Sequence, residues 1–241
     1  MRSDPVEMAS LYRKMDVTIY EAELGGRLAT AARHLSIVTR FVTKGRLLDV
    51  GCASGLFLQA ARDAGWAVVG VEPSEALFAK AKAALGESTE LHCTTLEHTK
   101  FATASFDAVT MWDVLEHVPD PLGFLQACAS LLKPGAHLFV NVPDLDSFEA
   151  RILGKRWPLL LAEHLNYFNR KSLRLCGEKA GLNWKEFGRR RVSFSADYIL
   201  FRLAQHRIPG AALLRKISGK AARIQVPISL GETYGVWTRG D

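Results

Sequence analysis

The stretch Leu47-Leu48-Asp49-Val50-Gly51-Cys52-Ala53-Ser54-Gly55 puts two glycines four positions apart directly after an apolar run, with a carboxylate two positions before the first. Glycine lets a backbone pass close to a ligand, and a helix opening just beyond Gly55 would present unpaired N–H groups there. Glu72 comes 17 residues after Gly55 and closes a second apolar run, Ala67 to Val71. In nucleotide-binding sheets a carboxylate at this register accepts hydrogen bonds from a ribose diol. Together the two signals point to a nucleoside-bearing ligand. Their bland alternatives are a tight strand-to-helix turn with a packing glycine, and a solvated strand end before Pro73.

These residues need a scaffold, and the hydrophobic pattern supplies one. Apolar residues three or four apart from Asp4 to Val42 (Leu11, Met15, Ile19; Leu28, Ala31, Leu35, Val38) predict amphipathic helices. Strands are then predicted at 46–50, 67–71, 90–94, 106–112 and 137–142, alternating with helices at 56–64, 75–85 and 122–132. Lys133-Pro134-Gly135 reads as a turn, and a helix over 171–180 is stopped by Gly181. Residues 183–187 and 232–238 read as the last two strands, with a mostly helical insertion between them. Apolar strands alternating with helices make an α/β fold, a doubly wound and mostly parallel sheet covered on both faces. The expected organisation is a helical cap over 1–44, a ligand-binding core over 45–182, and C-terminal strands with the insertion over 183–241 in the same domain.

Five short segments in order carry a resemblance: residues 47–55, Gly-Val-Glu-Pro-Ser at 70–74, Ser-Phe-Asp-Ala-Val at 105–109, Asp-Val-Leu-Glu-His-Val at 113–118 and Leu-Leu-Lys-Pro-Gly at 131–135. On these the chain resembles the class I S-adenosylmethionine-dependent methyltransferases from about Gly45 to Leu182. Glu163-His164-Leu165-Asn166-Tyr167-Phe168, followed by Ala180-Gly181-Leu182, is similar to the ubiquinone-biosynthesis-like small-molecule branch. The resemblance implies a seven-stranded Rossmann-like sheet and S-adenosylmethionine as cofactor. It implies that Asp49, Gly51, Cys52, Ala53 and Gly55 surround the methionine and ribose, that Glu72 takes the ribose hydroxyls, and that Pro73 flanks the adenine. Thr95, Leu96 and Glu97 would line the adenine edge, and Trp112, Asp113 and Val114 the methionine and the incoming acceptor. Ala53 departs from the family's commonest form, which has glycine there.

A sulfonium methyl donor is already activated, so the protein mainly aligns the reacting atoms in a water-poor pocket. An acceptor that arrives protonated also needs a base, and His is best tuned for that near neutral pH. His117 and His164 are the catalytic candidates; their structural alternatives are a backbone contact at a helix start and a packing role. Glu163 and Tyr167 are candidate acceptor contacts, as is Tyr20 on an N-terminal helix that could serve as a lid. The expected activity is methyl transfer to a small-molecule or lipid-linked acceptor, on oxygen. The alternatives are a non-catalytic S-adenosylmethionine-binding protein and a nicotinamide-dependent oxidoreductase, the latter disfavoured by the lack of Gly-x-Gly-x-x-Gly.

Composition narrows the field further. Hydrophobic residues at 48% and charged residues at 23% are the balance of a soluble globular protein. No apolar run reaches the roughly 18 residues of a spanning helix, and no signal-peptide pattern opens the chain, so a cytoplasmic location is expected. Four scattered cysteines read as reduced thiols, and no metal is expected. Trp112-Asp113-Val114-Leu115 stands where amino-methylating DNA enzymes carry Asn/Asp-Pro-Pro-Tyr, so DNA is not an expected partner. The net charge of +6 is regional: over 185–223 ten Lys/Arg face only Glu186 and Asp197, leaving the remainder near −2. This segment reads as a solvated basic face, as a surface for an anionic membrane or a phosphate-bearing acceptor, or as an RNA contact without a recognisable motif.

Overall fold

A computed structural model describes residues 24–205 and 224–240. Helix α1 (Leu24–Val38) is followed by β1 (Arg46–Val50), α2 (Leu56–Asp63), β2 (Ala67–Val71), α3 (Glu75–Leu85), β3 (Glu90–His92) and β4 (Phe106–Trp112). Then come α4 (Pro121–Leu131), β5 (Leu132–Pro143), α5 (Phe148–Leu153), α6 (Arg170–Lys179) and β6 (Leu182–Arg189). The C-terminal part holds β7 (Val192–Ser195), α7 (Ala196–Gln205), β8 (Gln225–Ile228) and β9 (Glu232–Arg239).

Seven strands form one sheet in the order β3-β2-β1-β4-β5-β9-β6, and the order reverses between β1 and β4. The β1, β2, β3, β4 and β5 pairings are parallel, and β9 runs antiparallel between β5 and β6. A parallel sheet buries both faces, which is why β1 and β4 read as apolar runs. One face packs Leu48, Val109 and Leu138 against α4 and α6. The other packs Leu47 and Phe139 against α1 and α2. Each such fully buried Leu or Phe contributes roughly 1.5–3 kcal/mol, so the sheet is a rigid base for whatever its strand ends carry. Side-chain caps fix the helix starts: Ser74 accepts from the Leu77 N–H at α3, and Asn169 with Ser172 closes a capping box at α6.

Two expectations change. The insertion before the last strand is not mostly helical where it is described, because β7 and β8 pair into a separate antiparallel ribbon. That pairing is non-local, and Pro227 in β8 masks it in the sequence. Lys133-Pro134-Gly135 does not separate α4 from β5; it is a bulge inside β5, where the register with β4 shifts between Phe106 and Ala108. Tyr20 and residues 206–223 of the basic segment lie outside the described residues. Among the described residues no helix is long and apolar enough to cross a membrane.

Candidate functional site

Ligands in open α/β sheets sit at the carboxyl ends of the strands where the order reverses, and a cavity of about 470 Å³ opens there. Its floor is the turn after β1, where Asp49, Gly51, Cys52, Ala53 and Ser54 line it. Gly51 has φ +73° and faces Val114 so closely that an added Cβ would lie 2.6 Å from Val114 Cγ2. Gly55 takes φ +79° as the cap of α2. Ala53 is also left-handed, at φ +48°, which explains why glycine suits this position and costs alanine on the order of 1 kcal/mol. Ala53→Gly is therefore expected to stabilise the protein by about 1 kcal/mol, raising the melting temperature by roughly 2–4 °C. An unchanged or lower midpoint in thermal unfolding would refute this.

Glu72 directly follows β2 and is buried. Its Oε2 accepts the Ala53 N–H at 2.9 Å and its Oε1 accepts the Ser74 N–H at 2.8 Å, so it ties the glycine turn to the start of α3. Burial pushes its carboxyl up while the two N–H groups pull it back. Asp49 stands in register with Thr110 of β4, whose hydroxyl donates to Asp49 Oδ1 at 2.7 Å. Burial pushes the Asp49 carboxyl up to about 8. Cys52 lines the cavity and also packs in the apolar core, and burial pushes its thiol up. Glu72, Pro73, Thr95, Leu96 and Glu97 lie beyond the cavity wall at the ends of β2 and β3; Leu96 is buried, and Thr95 and Glu97 are exposed.

The same cavity is lined by both histidines. Their ring centroids are 4.8 Å apart, and His164 also meets the Tyr167 ring at 5.7 Å. His117 Nδ1 lies 3.0 Å from the Glu163 carbonyl oxygen, a geometry in which Nδ1 is the donor. His164 Nδ1 is buried without a hydrogen-bond partner. Burial first, and the nearby His117 second, hold the His164 pKa below 6.5. Glu163 thus contributes its backbone, and the Tyr167 hydroxyl, accepting from Leu161 N–H at 2.8 Å, braces the segment whose Leu159 and Leu161 line the cavity.

Sequence reading missed several members of the site. Glu116, fully buried beside His117, leaves Oε2 without a partner, and desolvation pushes its carboxyl well above its ordinary value. Glu116, His117 and His164 each offer a ligand atom within 4.8 Å of the others, the one grouping among the described residues able to hold a metal ion. From α1 come Arg27 and His34, and from beyond β6 come Arg190, Phe194, Tyr198 and Glu232. Arg190 departs from the reading of 185–223 as a solvated basic face: Arg189 and Arg191 are exposed, but Arg190 is buried in the cavity wall. The Glu-His pair at 116–117 was visible in the sequence; the others were not.

A family model for a methyltransferase domain matches residues 21–186, and the chain belongs to that family. A ubiquinone biosynthesis O-methyltransferase from Hahella chejuensis is 39% identical over 120 residues, covering 47% of this chain and 50% of that protein. One from Xanthomonas campestris is 41% identical over 100 residues, covering 40% and 42%. The chain thus spans about half the length, or less, of these curated relatives. Solved structures share the fold: a Thermotoga maritima S-adenosylmethionine-dependent methyltransferase, described as a possible histamine N-methyltransferase, has a TM-score of 0.63 at 21% identity, covering 96% of this chain and 99% of that one. A phosphoethanolamine N-methyltransferase from Haemonchus contortus, solved with phosphomonomethylethanolamine and S-adenosylhomocysteine, gives 0.55 at 18% identity, covering 87% and 53%.

Proposed function

We propose that the protein is a cytoplasmic S-adenosylmethionine-dependent methyltransferase acting on the hydroxyl oxygen of a small-molecule or lipid-linked acceptor. The observation that carries this reading is a cavity lined both by the glycine turn of β1 and by the His117–His164 pair. The donor set suits the cofactor: Asp49 is a buried carboxyl fit to meet an ammonium, and Glu72 retains acceptor capacity toward ribose hydroxyls. Bound there, S-adenosylmethionine supplies an activated methyl group on a sulfonium. Phe57, Trp112 and Phe194 give the cavity an aromatic wall that excludes water and fits a ring-bearing acceptor. As the acceptor oxygen takes the methyl group, its proton passes to the neutral His164 ring. On this reading no metal is required.

The lipid-linked alternative draws support from the segment that leads away from Leu159 and Leu161. Phe148 is 65% exposed and Ile152 64%, and the exposed Arg151, Lys155 and Arg156 lie among them. Apolar side chains interleaved with cations suit an acceptor whose tail stays in a lipid surface. Among the described residues of 185–223, Lys185, Arg189 and Arg191 are exposed cations that could add attraction for an anionic surface or a phosphate-bearing acceptor.

Calorimetric titration with S-adenosylmethionine and S-adenosylhomocysteine, with NADH as control, tests the reading; a folded protein that binds only NADH would overturn it. The same titration carries a pH signature. Asp49 stays protonated up to about pH 8 in the free protein, and a cationic ligand favours its ionised form. About one proton should therefore leave per ligand bound near pH 7, seen as a dependence of the heat on buffer ionisation enthalpy. Affinity should rise with pH up to about 8 and then level off. A buffer-independent heat would remove Asp49 from the site.

A further inference from the structure

The family match ends at residue 186, yet the most densely bonded side chain of the cavity wall is Arg190. Its Nη1 and Nη2 donate to Asp113 Oδ1 at 3.0 Å and Oδ2 at 2.7 Å, a two-pronged pair. Nη1 also donates to Glu232 Oε1, and Nε donates to His34 Nε2 at 3.1 Å. That last bond requires a lone pair on His34 Nε2, so the imidazole is neutral with its proton on Nδ1. The His34 ring lies flat on Trp112, centroids 3.9 Å apart and planes 11° apart. Asp113 holds a left-handed backbone at φ +60° while Asn141 grips both its N–H, at 2.9 Å, and its Oδ1, at 2.8 Å.

One guanidinium therefore joins four elements: the end of β4, α1, the start of β9 and its own link between β6 and β7. It fixes two things that matter to an acceptor, the left-handed turn after Trp112 and the tautomer of the ring stacked on Trp112. Gly51, Ala53 and Glu72 are not among its partners. We propose that Arg190 is a positioning residue for methyl transfer: reaching back from beyond the family domain, it holds Asp113 and His34 so that the Trp112 wall aligns the acceptor. Near-attack alignment is sensitive to displacements of about 1 Å, which alone can cost on the order of 100-fold in rate. Lysine keeps the charge but has no fork, so its ammonium would pair with the Asp113 and Glu232 carboxylates and release His34.

The kinetic part of this proposal rests on the methyltransferase reading; the spectroscopic part does not. The experiment uses the full chain with Arg190→Lys and Arg190→Gly, the latter with and without millimolar guanidinium. The His34 tautomer is read by nitrogen-detected NMR, assigned by comparison with His34→Gln. S-adenosylhomocysteine affinity is read by calorimetry, and kcat and KM with a panel of phenols and catechols. The expected results are loss of the Nδ1–H preference at His34 in Arg190→Lys, a fall in kcat of about 30-fold, and a change in S-adenosylhomocysteine affinity below about threefold. Guanidinium, but not ammonium, should restore Arg190→Gly. An unchanged tautomer in Arg190→Lys, or losses of kcat and cofactor affinity in parallel that guanidinium does not reverse, would overturn the proposal. A wild type that binds S-adenosylhomocysteine but methylates no probe would remove support for the acceptor class, and the His34 tautomer would then decide the role of Arg190 alone.

Discussion

Replacing Glu72 by Gln should weaken S-adenosylmethionine binding as severely as replacing it by Ala, by about 100-fold, or near 2.7 kcal/mol. The usual expectation is that an isosteric amide retains half of a carboxylate's bonds, and the geometry here removes that half. Each carboxylate oxygen already accepts one backbone N–H, Ala53 on Oε2 and Ser74 on Oε1. A glutamine would point its own N–H donors at one of those two donors. Either the turn after β1 or the first turn of α3 must then move, and the group left buried without a partner costs about 1–3 kcal/mol. Calorimetry with S-adenosylhomocysteine separates the possibilities. Affinity of the Gln variant within threefold of wild type would mean that the two backbone bonds do not shape the site.

That double bond also shows how far the sequence could be read. The Gly51–Gly55 turn and the position of Glu72 were legible because they follow from the chain's local requirements. Left-handed backbone, a strand end and a helix start each demand particular residue types within a few positions. Even the odd residue, Ala53, was visible as a departure, and its backbone at φ +48° gives the reason. The Arg190 cluster was illegible for the opposite cause. Arg190 meets Asp113 across 77 residues and His34 across 156, and no periodicity within a segment encodes such a meeting. In the sequence Arg190 is one of three equivalent arginines, and only tertiary packing separates it from its exposed neighbours. Glu232 was hidden in the same way, and so was the burial of Glu116, whose place beside His117 was legible, since a carboxylate is read as solvated until burial is known. The ribbon of β7 and β8 was lost because each strand is four residues long and its partner lies beyond α7.

The acid limb of turnover is expected to lie below pH 6.5, and His164→Ala to lower turnover on a hydroxyl acceptor by about 100-fold or more with S-adenosylhomocysteine affinity nearly unchanged. Two observations give the sign. Burial, then the neighbouring His117, hold His164 below its ordinary value, so at neutral pH the ring keeps a free lone pair and activity is lost only as pH falls through that lowered pKa. Burial, then the nearby Asp113 charge, pushes the Glu116 carboxyl well above its ordinary value, which favours its neutral form and weakens any hold it has on an imidazole proton. Glu116→Gln, a neutral isostere, should therefore change kcat by less than about threefold. If Glu116 were instead an ionised partner of His164, the same substitution would cut kcat severely. His117→Asn removes one of the influences that lower His164, so the acid limb should move up toward 6.5. A pH profile of kcat for these three variants distinguishes a base at His164 from catalysis by alignment alone, for which the profile would be flat and none of the substitutions would shift it.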